Sequence, residues 1–65
     1  MRINGGIEER GTLTLGELLA ARGIGAATRH VAVAVNGAVV PRAQWPSLTL
    51  AAADDIEIVR PREGG

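Results

Sequence analysis

The 65 residues contain no cysteine, no lysine, no phenylalanine and no tyrosine. Without Cys this chain can form no disulfide, cysteine nucleophile or persulfide, and the lack of thiols fits a reducing compartment. A single His leaves no Cys/His cluster for a metal. One Trp is the whole aromatic complement, so there is no stacking platform for single-stranded nucleic acid. Neither sign of charge dominates. Seven Arg against seven acidic residues give a formal net charge of zero, and a neutral domain lacks the basic surface that nucleic-acid binding needs. No apolar run approaches the ~20 residues of a membrane span, and Met1-Arg2-Ile3-Asn4-Gly5 carries no apolar leader core. The expectation is a small cytoplasmic protein with no nucleic-acid and no membrane partner.

What is present is a core in miniature. A chain of this size buries only about 60% of the surface its unfolded form exposes. With no disulfide or metal to add, stability rests on apolar packing, for which 46% hydrophobic residues suffice.

Met1 to Asn4 reads as a strand, Asn4-Gly5-Gly6 as a turn able to supply positive φ, and Ile7 to Thr12 as a returning edge strand. Thr14 and Glu17 have capping-box spacing, with Leu13 and Leu18 placed as a hydrophobic staple. Leu15, Leu18 and Leu19 then share one face of a short helix over 15–22. Gly23 is its left-handed cap, with Ile24 packing back. Gly25 to His30 is a loop. Val31-Ala32-Val33-Ala34-Val35 alternates large and small residues, which suits a central strand with a helix on one side. Asn36-Gly37 turns it into Ala38-Val39-Val40, and Pro41 stops that strand. Arg42 to Pro46 is irregular or a single helical turn. Asp54-Asp55 makes a turn before a last strand, Ile56 to Arg60, and Pro61 ends it. The result is one α+β domain over 1–60, a helix on a mixed sheet of four to five strands, followed by a flexible tail over 61–65. The first and last strands can lie side by side in the middle of that sheet.

The tail ends in Gly64-Gly65, a carboxylate on a residue with no side chain, able to pass a tunnel too narrow for any other residue. Two terminal glycines alone are weak evidence, since termini are often frayed. The body supplies more: Val35-Asn36-Gly37, then Val40-Pro41-Arg42 followed by Trp45, then Asp55-Ile56-Glu57-Ile58-Val59, closing on Gly-Gly. This order of elements and these segments resemble the ubiquitin-like β-grasp sulfur carriers, most closely the ThiS-type carrier of thiamine thiazole biosynthesis. That family shows an Asn-led turn, a Val-Pro-Arg-x-x-Trp segment and a Gly-Asp-x-Ile/Val strand start. Length agrees throughout, and the first thirty residues agree in pattern only. Two features depart from it. Asp54 stands where the family usually has Gly; Asp tolerates left-handed backbone better than most residues, so the turn should survive. Arg60-x-Arg62-x-Gly64-Gly65 is more polar than the usual tail and is similar to the end of ubiquitin.

The resemblance implies a β-grasp fold and a carrier that is not itself an enzyme. An E1-like, ThiF-type adenylating enzyme would use ATP to activate the Gly65 carboxylate, and a sulfur donor protein or persulfide would convert it to a thiocarboxylate. A ThiG-type thiazole synthase would then take the sulfur. Gly65 would carry the group and Gly64 would supply clearance; no cofactor would be bound by this chain. Two neighbouring readings stay open: a molybdopterin synthase small subunit type of carrier, and a covalent modifier joined through Gly65 to lysines of targets. A β-grasp interaction module with an idle tail is the third.

Other residues divide between structure and contact. Trp45 is either a core lid or a partner hot spot. Arg42 is a surface bridge or a contact to the activating enzyme. Arg60 and Arg62 flank the tail exit and are contacts to acidic groups or phosphates, or simply solvated. Ala32 and Ala34 leave a flat sheet face suited to docking. Gly23 to Thr28 faintly resembles a dinucleotide loop but follows a helix rather than a strand, the wrong context for a phosphate site. His30 has no nucleophile nearby and reads as a surface residue, and Asp54 with Asp55 reads as a turn rather than an acid–base pair.

Overall fold

Thr14 starts the α-helix by the reciprocal bonds its sequence promises. In the computed structural model, which describes residues 1–9, 11, 13–25 and 27–60, Glu17 N–H donates to Thr14 Oγ1 at 3.1 Å and Thr14 N–H donates to Glu17 Oε1 at 2.8 Å. Helix α1 runs Leu15–Ala21. It ends in a Schellman turn: Gly23 takes φ 79°, its N–H reaches Ala20 C=O, and Ile24 N–H reaches Leu19 C=O at 2.9 Å.

Around the helix run β1 (Arg2–Ile3), β2 (Gly6–Ile7), β3 (Leu13–Thr14), β4 (Ala32–Val35), β5 (Ala38–Val39), a 3₁₀ turn (Arg42–Gln44), β6 (Thr49–Leu50) and β7 (Asp55–Val59). The main sheet has the order β2-β1-β7-β4-β5. Thus β7 is central, parallel to β1 and antiparallel to β4. One helix on this mixed sheet is the expected β-grasp arrangement, with the last strand clamped on both edges.

Period-two alternation sorts the sheet residues. Ile3, Val33 and Ile56 point to the helix and bury with Leu15, Leu18, Leu19, Ile24, Trp45 and Leu50. Glu57 pairs with Ala34, Val59 with Ala32 and Val39 with Ala34, so these residues share the opposite, open face.

Three details differ from the sequence reading. The second strand is only Gly6–Ile7; Leu13–Thr14 instead pairs with Thr49–Leu50 as a separate two-stranded ladder. Beyond Ile7, Glu8 still exchanges backbone bonds with Met1, and the sequence then offers no apolar side chain to bury until Leu13. The last strand starts at Asp55 and ends at Val59. The turn before it survives without left-handed backbone at Asp54, which is not among the positive-φ residues. Its carboxylate does the work instead, accepting Ala51 N–H at 2.7 Å while Asp54 N–H donates to Ala51 C=O at 3.1 Å.

The tail over 61–65, the Thr12 end of the second strand and the Ala26 position of the glycine-rich loop lie outside the described residues.

Candidate functional site

Gly64, Gly65 and Arg62 lie outside the described residues, so the site is built from what leads to them. Arg60 follows β7 and is exposed. It lines a shallow hollow with Asn4, Arg22, Ile24 and Ile58. Arg22 is ion-paired with Glu8, so one guanidinium beside Arg60 is already partly neutralised.

On the open sheet face, reaching Val59 next to Arg60 in the chain, lies an apolar patch. Val39 is 74% exposed and Val59 59%. With Ala32 and Ala34 between them in register, they form a flat surface interrupted on one side by Glu57. A contiguous exposed apolar patch marks a candidate contact surface. Ile7 is also exposed, but it pairs with Arg2 on the far side of Asp55, separated from the patch by charge. The alternation of valine and alanine pointed to this face. It did not single out Val39 or Val59, whose partners are known only once the register is known.

Arg42 and Trp45 are brought together on the helix side. The Arg42 guanidinium stacks over the indole, 4.5 Å from its centroid, and Arg42 Nη1–H donates to Gly25 C=O at 3.2 Å. Trp45 is 4% exposed and its Nε1–H donates to Val40 C=O at 3.1 Å. Both residues edge an open groove of about 540 Å³, shared with Thr14, Glu17, Ala20 and Ile24. Trp45 therefore occupies the lid position, and Arg42 bridges the 3₁₀ turn to the loop after α1. The pair is not assembled with Arg60; among the described residues only Ile24 lines both hollows.

His30 is exposed, with φ 59°. Asp54 is held ionised. The Ala51 N–H and the Asn36 amide keep its carboxyl below the usual aspartate value. Its bonds are those of a turn. Among the described residues no group of three His, Cys, Asp or Glu side chains is placed to hold a metal, and no helix is long and apolar enough to cross a membrane.

Two roles went unread in the sequence. Both Asn-Gly turns aim the asparagine side chain at β7. Asn36 Oδ1 accepts Asp55 N–H at 3.0 Å, and Asn4 Oδ1 accepts Ile58 N–H at 2.7 Å. Gly16 lets the first turn of α1 press against the chain after Trp45. A Cβ there would lie 3.2 Å from Pro46 Cα and 3.3 Å from Trp45 O. The repeated Asn-Gly pair was the available clue to the first; Gly16 looks like any helical glycine.

A search of the curated proteins finds no match to the sequence. Among solved structures, the chain is similar to the crystal structure of thiamine biosynthesis protein ThiS from Geobacter metallireducens. The two are 28% identical with a TM-score of 0.73, covering 98% of this chain and 96% of that one. A solution NMR structure of a thiamine biosynthesis protein from the same organism gives 27% identity and a TM-score of 0.76, over 98% and 85% of the two chains. The ThiS family model matches residues 1–65, taking in every segment that frames β7 together with the glycines beyond it. The chain belongs to the ThiS family.

Proposed function

We propose that this protein is the sulfur carrier for the thiazole ring of thiamine, and that the Gly65 carboxylate is its reacting group. The observation that carries the reading is the family match across residues 1–65, Gly64 and Gly65 included. It is supported by the position of β7. The strand that leads to the glycines is the central one, so the tail has a rigid base.

A resting carboxylate is a poor electrophile, because its negative charge shields the carbon. In the proposed scheme a ThiF-type enzyme binds ATP, and a Gly65 carboxylate oxygen attacks the α-phosphorus with loss of pyrophosphate. A persulfide sulfur on a donor protein then attacks the acyl carbon and displaces AMP, giving an acyl disulfide. A thiol attacks its S–S bond, leaving as a disulfide with the donor and releasing the sulfur on Gly65. The resulting thiocarboxylate surrenders sulfur at a ThiG-type synthase. Nothing in the scheme asks this chain for an acid, a base or a cofactor; the enzymes supply transition-state stabilisation. Its tasks are delivery and recognition. Gly64 gives the carboxylate clearance. Val39, Ala34, Ala32 and Val59 form the docking face beside the tail, with Arg60 and Arg62 as charged contacts at its exit. On the helix side, Arg42 and the groove it edges with Trp45 are further candidate contacts.

Intact mass tests the reading. After incubation with the cognate activating enzyme, ATP and a sulfur source, one oxygen should be replaced by sulfur. Deleting Gly64 and Gly65 should abolish the change and leave the circular dichroism spectrum intact. No mass change in the full chain would sink the carrier reading, and high-mass conjugates in cell extract would favour a protein modifier.

A further inference from the structure

In a parallel ladder each strand donates and accepts at alternate residues. β1 starts this pattern on β7: Arg2 N–H donates to Asp54 C=O and Asn4 N–H donates to Ile56 C=O, both at 2.9 Å. The next bond due runs from Ile58 N–H to the main-chain carbonyl of Asn4. It is not made that way. Asn4 takes φ 50° and Gly5 φ 83° to turn the chain into β2, which swings that carbonyl away. The side-chain carbonyl takes its place, and Ile58 N–H donates to Asn4 Oδ1 at 2.7 Å.

This bond lies near the tail. On the β4 side β7 is paired as far as Val59, opposite Ala32. On the β1 side the backbone bonds end at Ile56, and Asn4 Oδ1 is the hold nearest Arg60 among the described residues. Few side chains can do both jobs. Glycine accepts the left-handed backbone but offers no acceptor. Alanine offers neither. Asparagine and aspartate combine left-handed tolerance with a carbonyl oxygen one carbon from Cβ.

We infer that Asn4 is a positioning residue for the carrier reaction: its side chain fixes the point at which the tail leaves the sheet, and so where Gly65 arrives in an enzyme's active site. The inference rests on the carrier reading above. Loss of the bond would free Ile58 to Arg60 on the β1 edge, leaving β4 alone to hold the end of the strand that leads to Gly65. Docking would survive, while the alignment of the carboxylate would not.

The test compares the full chain with Asn4→Gly, which keeps the turn and removes the acceptor, and Asn4→Asp, which keeps both. Amide exchange by NMR should show Ile58 losing protection about tenfold in Asn4→Gly, with Val33 and Ile56 unchanged. Pyrophosphate release with the cognate activating enzyme should show kcat reduced roughly tenfold or more, since small misplacements of a reacting group cost large factors in rate. KM should stay within about twofold, because the docking face is intact. Asn4→Asp should restore both readouts. An unchanged Ile58 amide, protection lost throughout the sheet, or normal kcat in Asn4→Gly would each overturn the inference. If the wild-type chain itself released no pyrophosphate, the carrier reading would fall and this inference with it. Normal wild-type release with an unaffected Asn4→Gly would overturn the inference alone.

Discussion

Asn36 and Asp54 are joined side chain to side chain, Nδ2–H to Oδ1 at 3.0 Å. The same asparagine exchanges main-chain and side-chain bonds with Asp55: Asn36 N–H donates to Asp55 C=O at 2.7 Å, and Asp55 N–H donates to Asn36 Oδ1 at 3.0 Å. The β4–β5 turn is thereby locked to the start of β7. Because Asp54 also accepts from Ala51 N–H, its charged form is favoured in the folded state and its carboxyl lies below the ordinary value of 3.8. The sign follows. A depressed carboxyl pKa stabilises the fold above 3.8, and that stability is lost as the pH falls through the folded-state value. Denaturant titrations should show the midpoint dropping in this acid window. Asp54→Asn, which keeps an acceptor but no charge, should flatten that part of the profile. An equally steep acid loss in the variant would assign it to other carboxylates.

Trp45 is predicted to be worth more to folding than to contact. Its ring closes the core beside Leu50, under the Arg42 guanidinium, and its N–H is satisfied by Val40. Trp45→Ala should cost about 3–5 kcal/mol in urea unfolding, a large part of the stability of a small domain. Trp45→Phe keeps an aromatic face for Arg42 and loses the Val40 bond, so its cost should be about half as large or less. A folded Trp45→Ala with a loss under about 1 kcal/mol would refute the lid.

Much of the architecture was legible because local signals and tertiary structure agree. The capping box, the Gly23 stop and the Val-Ala alternation each specify a local geometry that the packing then uses. β7 was placed in the centre of the sheet for the same reason: Ile56 and Ile58 alternate, and a first strand was available to pair beside them. The β3–β6 ladder was not legible. Two-residue strands pairing across this many positions carry no periodicity, and only the closed fold brings Leu13 opposite Leu50. The candidate site was half legible. Ala32 and Ala34 marked the face, but Val39 joins it through the register of the Asn36-Gly37 hairpin. The side-chain bonds of Asn4 and Asn36 were hidden for a related reason: an Asn-Gly pair announces a turn, and its side chain gains a distant partner only after folding.

Gly16 gives a prediction that runs against helix propensity. Ala is favoured over Gly inside helices by about 1 kcal/mol. Here the new methyl would meet backbone at 3.2–3.3 Å, and that backbone is held by Gly16 N–H to Trp45 C=O and Leu15 N–H to Leu48 C=O, both at 2.8 Å. Neither side can yield without loosening a bond. Gly16→Ala should therefore lower the thermal midpoint, and Gly16→Val should lower it further. A raised midpoint for Gly16→Ala would show that the helix start shifts freely.

The open sheet face yields the sharpest separation of stability from function. Val39 is on an edge strand and 74% exposed, so Val39→Arg removes little from the core and should change unfolding free energy by about 0.5 kcal/mol or less. As part of a docking face it should matter far more. A guanidinium set among Ala34, Ala32 and Val59 would have to be desolvated against an apolar partner surface, which costs several times the loss of the valine itself. KM for the activating enzyme should rise at least about tenfold, with kcat nearly unchanged because the tail and its base are untouched. Ile7→Arg is the internal control. Ile7 is as exposed as Val39 but lies across the charged row of Arg2 and Asp55, so its KM should move by less than about twofold. Equal effects at the two positions would mean that the partner reads the whole sheet face; no effect at Val39 would move the docking surface elsewhere, with the Arg42 and Trp45 groove as the next place to probe.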